Sequence, residues 1–188
     1  MAITGYGWEM LVHRLGIQHA DPDDPAVGQH SSRTYGRYDV YIEGKHQFDG
    51  FICEGIGPGS THVDGHRIIA GTYALSTQFG DLYWSQGYQT TDKVQRPAVA
   101  LVNVPGRTGI LVHPAHTPDF FLSSIGCFNP TKALQPKECM AFQDSYTHVV
   151  EIVDSLKNFA PKAFVPKKNT PIPNAYIIVE GEPMFDYP

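Results

Sequence analysis

The sequence predicts an α+β fold that is mainly β, built on a curved or barrel-like mixed sheet with one C-terminal helix. Three observations lead to this prediction. The 188 residues include 18 glycines and 15 prolines, which favour many turns between short strands. Short apolar runs rich in β-branched residues occur along the chain. A single stretch, near the C-terminus, carries the apolar period of an α-helix.

The first part of the chain predicts a strand followed by a hairpin. The apolar-rich segment Trp8–Gln18 is expected to be a strand, with a short helix as the alternative. The polar segment His19–Arg33 is expected to be a surface loop. Arg37–Ile42 and Phe48–Glu54 alternate in hydrophobicity on either side of Glu43-Gly44-Lys45, which predicts a β-hairpin.

The middle of the chain predicts further strands separated by polar segments. Gly55–Gly65 is glycine-rich, but no Gly-Lys-Ser/Thr follows it, so we expect a connection and not a phosphate loop. Arg67–Ser76 continues the β pattern, and Ala98–Val104 and Thr108–His113 are expected to be two more strands. The intervening segment Gly80–Arg96 is polar and aromatic, and it either lines a groove or covers the core.

The last part of the chain predicts the helix and a tail. Apolar residues within Glu138–Phe159 follow a helical stripe, and Asp144 or Ser145 can cap part of it. A chain of this length suffices for one core and is short for two, so we expect one main domain over residues 1–159. Residues 160–188 are expected to form a proline-rich tail, with an extended linker over 160–174 and a last strand at Ala175–Val179.

Composition excludes several classes of function. The formal net charge of −5 gives no basic footprint, so we expect no nucleic-acid partner. No apolar stretch approaches the roughly 20 residues that span a bilayer, so we expect no membrane span. The first 20 residues lack the basic and apolar regions of a classical secretion signal. We therefore expect synthesis in the cytoplasm without such a signal.

The cysteines disfavour a disulfide scaffold. There are three of them, Cys53, Cys127 and Cys139, and no Cys-x-x-Cys pair occurs. An odd count without that motif also disfavours a cysteine-rich zinc site. A single Cys53–Cys139 bridge and two buried free thiols remain as alternatives.

Cys127 and His113 are the candidate nucleophile and base. A thiol must become a thiolate to attack a carbonyl, and a neighbouring imidazole can take its proton. His113 ends a predicted strand, which is a rigid mount for a base. His116 is the competing base, and otherwise a substrate contact. A packed thiol and a surface histidine are the structural alternatives.

The residues before Cys127 are candidates for binding the oxyanion. Gly126 allows a tight turn or a close approach of substrate to the backbone. The amides of Ile125, Gly126 and Cys127 can then face a developing negative charge. Ser124 can hydrogen-bond across the turn and position the loop.

The order of these motifs resembles the L,D-transpeptidase catalytic domain. His113 followed by Ser124-Ile125-Gly126-Cys127 is similar to the His…Ser/Thr-x-Gly-Cys signature of that family. Further landmarks occur in the order found in its small branch from phages and bacterial secretion loci, and the resemblance spans Trp8–Thr131. These landmarks are Thr34-Tyr35-Gly36-Arg37, Cys53-Glu54, Ile69-Ala70-Gly71-Thr72-Tyr73, Val104-Pro105-Gly106 and Val112-His113-Pro114.

The resemblance implies a cysteine acyl-enzyme mechanism on the stem peptides of peptidoglycan, without a cofactor or metal. Cys127 would attack the carbonyl of an L-centre that precedes a D-amino acid. His113 would take the thiol proton and return it to the leaving amine. An amine acceptor would give transpeptidation, and water would give hydrolysis. The protein would act in the periplasm or cell wall after delivery by a phage particle or secretion system, with those proteins as partners, or as part of a virion.

The sequence departs from the family pattern in three places. Pro114 stands where the family has glycine, and Asn129 stands where many members have arginine. Phe120–Leu122 lengthens the segment between the histidine and the cysteine. Asn129 and His116 are candidate substrate contacts. Three arginines can replace the missing one in binding a substrate carboxylate: Arg107, which we prefer as a substrate contact, Arg67 and Arg96.

Three other functions are weighed against this one. A metal hydrolase would need three or four ligands, and two sets of residues offer them: His113, His116 and Asp119, or His62, Asp64 and His66. A non-catalytic phage or injection-machine module could use the same fold for structure or cell-wall binding. A β-rich domain for an unrelated ligand would use the aromatic residues Tyr83, Trp84 and Tyr88 as a stacking surface. The alternative role of these three residues is to cover the core.

Overall fold

The computed structural model describes residues 2–24, 31–80 and 96–183, and their strands form one mixed, nearly closed, barrel-like sheet. The predicted fold class is confirmed, with 39% of the described residues in strands and one α-helix among them. The strands are β1 Trp8–His19, β2 Ser32–Ile42, β3 Lys45–Glu54, β4 Gly71–Gln78, β5 Ala98–Val102, β6 Leu111–Val112, β7 Asn129–Thr131 and β8 Pro171–Val179. The helix α1 is Phe142–Phe159, and a 3₁₀ turn follows at Pro161–Ala163.

The first three strands form an antiparallel meander. β1 pairs with β2 from Trp8↔Ile42 to His19↔Ser32, so the strand is confirmed at Trp8–Gln18 and the helical alternative is wrong. The predicted hairpin joins β2 to β3. Glu43 and Gly44 both have positive φ, at 49° and 72°, as a tight two-residue hairpin turn requires.

The strand nearest the C-terminus lies in the middle of the sheet. The strand order is β6-β5-β4-β8-β1-β2-β3-β7, so β8 lies between β4 and β1. It is antiparallel to β4 and parallel to β1. The last strand was predicted from Ala175, and the structure begins it at Pro171 within the predicted linker. Pro171 is the first residue of the strand and pairs with Ser76 of β4, and Pro173 lies at the irregularity in that ladder. These are positions where a strand tolerates proline.

Several predicted strands are shorter in the structure. β4 begins at Gly71, and the preceding Arg67 instead donates its amide to the Ile56 carbonyl. β6 contains two residues, because residues 103–110 turn between β5 and β6. Apolar composition indicated the right segments here, but the partner strands set their lengths.

The main core lies between the inner face of the sheet and α1. The helix buries an apolar stripe that includes Val149, Ile152, Val153 and Leu156, as its periodicity predicts. It begins at Phe142, four residues after the predicted start, and its N-cap Ala141 makes no side-chain cap hydrogen bond. In the described ranges, no helix combines the length and apolar character needed to cross a membrane.

A second, smaller core lies under the segment that connects β6 to α1. Phe121 and Leu122 are fully buried in it, beside Tyr35 and Cys53. The buried Arg33 guanidinium lies over the Phe121 ring, 4.1 Å from its centroid. The extra residues between His113 and Cys127 therefore fill a core of their own.

Candidate functional site

The candidate histidine and cysteine flank the point where the sheet closes. β6 and β7 are the two ends of the strand order, and Val112 of β6 forms a parallel bridge with Phe128, next to β7. The His113 amide donates to the Phe128 carbonyl at 3.1 Å, and the Phe128 amide donates to the Leu111 carbonyl at 2.8 Å. We call this contact the seam of the barrel.

Ideal strand alternation around the Val112–Phe128 bridge would put His113 and Cys127 on the same face of the seam, but His113 does not line the pocket that holds the thiol. Val112 and Phe128 are buried in the main core. Successive side chains in a strand point to opposite faces, so the residues on either side of them point away from that core. His113 and Cys127 are diagonal neighbours there, with their Cα atoms about 8 Å apart by ideal strand spacing.

The Cys127 thiol is half-buried and is held by two backbone groups. The Leu111 amide donates to Sγ at 3.3 Å, and Sγ donates to the Gly109 carbonyl at 3.5 Å. Burial raises the pKa of the Cys127 thiol, while the Leu111 amide and the Arg107 charge act to lower it. The group is therefore a protonated thiol at neutral pH, with a cation close by.

Cys127 and Arg107 line the same pocket, which has a volume of about 260 Å³. The Arg107 guanidinium donates to the His66 carbonyl at 2.7 Å and to the Ile125 carbonyl at 2.5 Å. The pocket also includes the exposed carboxylate of Asp64, 3.8 Å from Arg107. Arg107 is thus positioned beside the thiol, where the sequence proposed a substrate contact.

His113 is buried and is held through its Nδ1 atom. Nδ1 lies 2.9 Å from the Pro114 carbonyl oxygen. A carbonyl can only accept, so Nδ1 carries the hydrogen and Nε2 carries the lone pair. Burial lowers the pKa of His113 to about 4, so the ring is neutral at pH 7. A neutral imidazole is the form that accepts a proton.

Asn129 is fully buried in β7 and bonds to protein groups. Its Oδ1 accepts from the Ser123 amide at 3.1 Å, and its Nδ2 donates to the His113 carbonyl at 3.1 Å. The sequence proposed a substrate contact for this residue. In the structure its carboxamide links the backbone at His113 to the segment that leads to Cys127.

Ser124 shapes the turn before the cysteine. Its hydroxyl donates to the Cys127 carbonyl at 2.6 Å and accepts from the Gly126 amide at 2.9 Å. The Gly126 amide, a predicted oxyanion donor, is therefore engaged within the turn. Ile125 is 57% exposed, at the pocket edge, and its carbonyl accepts from Arg107 and from the Gly65 amide.

His116 lies beside His113 and nearer to solvent. The two rings stack at a centroid distance of 6.0 Å. His116 Nδ1 lies 3.1 Å from the Thr117 carbonyl, and its amide donates to the Ser123 hydroxyl at 2.8 Å. Both histidines are thus gathered on the same side of the seam, and His113 is the more deeply buried.

The other arginines are bound elsewhere in the molecule. Arg67 pairs with Glu182 and also donates to the Thr34 hydroxyl. Arg96 pairs with Asp154 of α1 at 2.9 Å. Of the three arginines considered for a substrate carboxylate, Arg107 is the one that lines the Cys127 pocket.

The structure does not assemble either predicted metal-binding set. Within residues 2–24, 31–80 and 96–183, one group of three has its potential ligand atoms within 4.8 Å of one another, namely Asp39, His46 and Asp49. Arg37 already binds the Asp39 carboxylate through its guanidinium at 2.8 Å. Metal hydrolysis at the predicted sets therefore has no geometric support.

All three cysteines are free thiols in the structure. Cys53 is buried, while Cys127 and Cys139 are half-buried, so no Cys53–Cys139 bridge is formed. The predicted aromatic surface of Tyr83, Trp84 and Tyr88 lies outside the described residues.

Comparison with known proteins adds no further identification: no family model, curated protein or solved structure matches the chain. The resemblance to L,D-transpeptidases therefore rests on the order and spacing of the motifs.

Sequence reasoning missed two residues that support the site. The buried Ser145 hydroxyl of α1 accepts from the Ala115 amide at 2.9 Å and donates to the Pro130 carbonyl at 2.6 Å. Its position in the helix suggested a cap, and no local signal indicated this long-range role. The Leu111 amide that contacts the thiol is a backbone group, so no side-chain pattern reveals it.

Proposed function

We propose that this chain is a cysteine-dependent enzyme of the L,D-transpeptidase type that acts on the stem peptides of peptidoglycan. One observation carries the proposal: the Val112–Phe128 bridge brings the segments of His113 and Cys127 together, and the thiol lies in a pocket beside the Arg107 guanidinium. The motif order in the sequence supports the choice of family and substrate.

The reaction begins with a movement of the thiol proton. In the resting structure the thiol donates to the Gly109 carbonyl. For this step Sγ has to leave the Gly109 carbonyl and reach the neutral ring of His113, which accepts the proton. Catalytic hydrogen bonds are often formed only with substrate bound, so a resting contact between these two residues is not required.

Acyl transfer then follows in two steps. The Cys127 thiolate adds to the substrate carbonyl, the C–N bond breaks, and the leaving amine takes the proton from His113. This leaves a thioester. Attack by an amine gives transpeptidation and attack by water gives hydrolysis, and either step returns the proton to the Cys127 sulfur.

Charge in the pocket favours a substrate with a carboxylate near the reacting bond. Arg107 is almost fully buried and bonds to two carbonyl oxygens. The facing carboxylate of Asp64 is 87% exposed, so solvent screens it strongly. The net field beside Cys127 is therefore positive, which complements the carboxylates of stem peptides.

The decisive experiment is digestion of purified peptidoglycan with the wild type and with Cys127→Ala, followed by mass spectrometry of the muropeptides. We expect new products from the wild type alone. His113→Ala is expected to abolish them, and His116→Ala is expected to weaken them. Equal products from wild type and Cys127→Ala would refute the catalytic proposal, and the reverse result for the two histidines would make His116 the base.

One observation favours a second candidate, a non-catalytic cell-wall-binding module. The Cys127 thiol is hydrogen-bonded to the Leu111 amide and to the Gly109 carbonyl, and burial raises its pKa. The same digestion distinguishes this candidate. Binding to peptidoglycan by both proteins, without a mass change in any muropeptide, would favour the module over the enzyme.

Either function requires access to the cell wall. We propose delivery as part of a phage particle or through a secretion system, in line with the branch of the family that the motifs resemble. Mass spectrometry of purified virions and of culture supernatants tests this. Recovery of the protein in neither fraction would contradict the proposed delivery.

A further inference from the structure

Arg67 is a buried cation that a threonine and a glycine hold in place. Its side chain is 5% exposed, and Nη1 donates to the Thr34 hydroxyl at 2.8 Å. A Cβ atom at Gly57 would overlap the guanidinium, so this close approach requires a glycine. Gly57 belongs to the glycine-rich segment Gly55–Gly65, which we expected to be a connection and which packs against this charge.

The Arg67 guanidinium binds a carboxylate from the segment that follows the last strand. Nη2 donates to Glu182 Oε2, and the Gly59 amide donates to Oε1 at 2.9 Å. Arg14 Nη1 lies 4.0 Å from the same Oε1. The Glu182 side chain is 48% exposed, so solvent reaches the place where this carboxylate is bound.

Glu182 uses only half of the donor pair that Arg67 offers. Nε and Nη2 lie on one edge of the planar guanidinium and match the two oxygens of a carboxylate. Arg14 shows the complete arrangement, since its Nε and Nη2 donate to the two oxygens of Glu54 at 2.7 and 2.8 Å. At Arg67, Nη2 bonds to Glu182, whereas the buried Nε has no hydrogen-bond partner among the described residues. A buried donor without a partner is costly, so the site favours a ligand that accepts from both nitrogens.

The charges around the site match a singly charged anion. Arg14 and Arg67 supply two positive charges, and the buried Glu54 carboxylate neutralises one of them. Burial acts to raise the pKa of Glu182, but the hydrogen bonds from Arg67 and Gly59 and the two arginine charges hold it below its usual value. If Glu182 leaves, a buried guanidinium loses its counter-ion, which is strongly unfavourable unless another anion replaces it.

We propose that Arg67 and the Gly59 amide form a binding site for a carboxylate ligand, and that Glu182 occupies this site as an internal competitor. The incoming carboxylate displaces Glu182 and accepts from Arg67 Nε, Arg67 Nη2 and the Gly59 amide. The site is defined by binding alone and does not depend on the proposed function.

Acetate titrations followed by ¹⁵N–¹H NMR test the site in the wild type and in Glu182→Ala. We expect acetate to shift the Gly59 amide and Arg67 Nε–H resonances. A ligand's apparent affinity falls with the fraction of protein in which the site is free, so if Glu182 fills it for about nine-tenths of the time, its removal raises the affinity about tenfold. Acetate should also raise the Tm of Glu182→Ala above its value in chloride at equal ionic strength.

Glu180→Ala is the matched control. It removes the same charge from the same segment, but Glu180 pairs with His13 and not with Arg67. We expect this variant to bind acetate like the wild type. Equal acetate affinity in Glu182→Ala and Glu180→Ala, or unmoved Gly59 and Arg67 resonances in Glu182→Ala, would overturn the proposal. Neither result requires a variant of the buried Arg67 to fold.

Two further arms define the ligand chemistry. Inorganic phosphate at equal ionic strength is expected to bind Glu182→Ala less tightly than acetate, because the site carries one net positive charge, and tighter binding of phosphate would refute the assignment to carboxylates. Arg67→Lys added to Glu182→Ala keeps the charge but removes the paired donors. We expect it to lose the gain in acetate affinity, and retention of that gain would refute the role of Arg67 Nε and Nη2.

The outcomes are separate from those of the peptidoglycan digestion. If acetate binds as expected while wild type and Cys127→Ala give equal products, the enzymatic function fails and the carboxylate site stands. If products depend on Cys127 but acetate does not bind at Arg67, the function stands and the site fails.

Discussion

The turn before Cys127 depends on glycine at position 126, and Gly126→Ala tests how firmly Arg107 is fixed there. Gly126 has a φ of +142°, which L-residues with side chains rarely adopt. A Cβ atom at this position would lie 2.8 Å from Arg107 Cζ and closer still to Nη2. That side chain is nearly buried and bonds to the Ile125 carbonyl through the same Nη2, so it has little room to move.

The expected loss of stability has two parts. Backbone strain from a side chain at this φ costs about 1–3 kcal/mol. Displacing Nη2 from the Ile125 carbonyl removes a hydrogen bond from a charged donor, which costs about 1.5–3 kcal/mol. We therefore expect Gly126→Ala to lower the free energy of unfolding by about 4 kcal/mol in total.

Gly109→Ala is the matched control for backbone strain. Gly109 also has a positive φ, at +71°, but an added Cβ would meet nothing within 4 Å. Its cost should be confined to about 1–2 kcal/mol of strain. Urea unfolding of both variants and the wild type gives the difference between them. A loss for Gly126→Ala no larger than that for Gly109→Ala would show that Arg107 is not fixed across the turn.

Two further predictions concern the seam. Ser145→Ala leaves the buried Ala115 amide and Pro130 carbonyl without their partner, so it should lower the free energy of unfolding in urea by about 2–4 kcal/mol. The control Thr147→Ala, on the exposed face of α1, should lower it by under about 0.5 kcal/mol. Equal losses would contradict the bridging role of Ser145. The pKa of His113 is lowered to about 4 from 6.5, so the unfolded chain binds more protons between these values. Stability is therefore lost as the pH falls from 6.5 toward 4, by about 3 kcal/mol from this group. His113→Gln should reduce the loss of unfolding free energy over this range by that amount, and an unchanged pH profile would count against a buried neutral ring.

Local patterns were sufficient for most individual elements. Alternation of apolar residues predicted β2 and β3, and Glu43-Gly44 predicted the turn between them, because a hairpin is specified by residues close in sequence. The helical stripe predicted α1, although its start was placed four residues too early. The cap expected from Ser145 was wrong, since its hydroxyl bonds to groups distant in sequence.

The arrangement of the candidate site depended on pairings that no local pattern contains. Motif spacing indicated His113 and Cys127 as the candidate base and nucleophile, but it did not indicate which side chains would face the pocket. Both Arg107 and Asn129 were expected to contact substrate; the structure places Arg107 at the pocket but buries Asn129. Burial is decided by what packs against a residue, which sequence spacing does not report.

The amino-acid pattern alone predicted the mainly β class, the order of the strands along the chain, and a cysteine and a histidine as the candidate chemical groups. These features follow from local hydrophobic period and turn chemistry. Only the folded chain shows that β8 lies at the centre of the sheet and that the Val112–Phe128 bridge nearly closes it. That bridge brings the segments of His113 and Cys127 together. Local patterns do not reveal it, because strand order and closure depend on contacts between residues far apart in the chain.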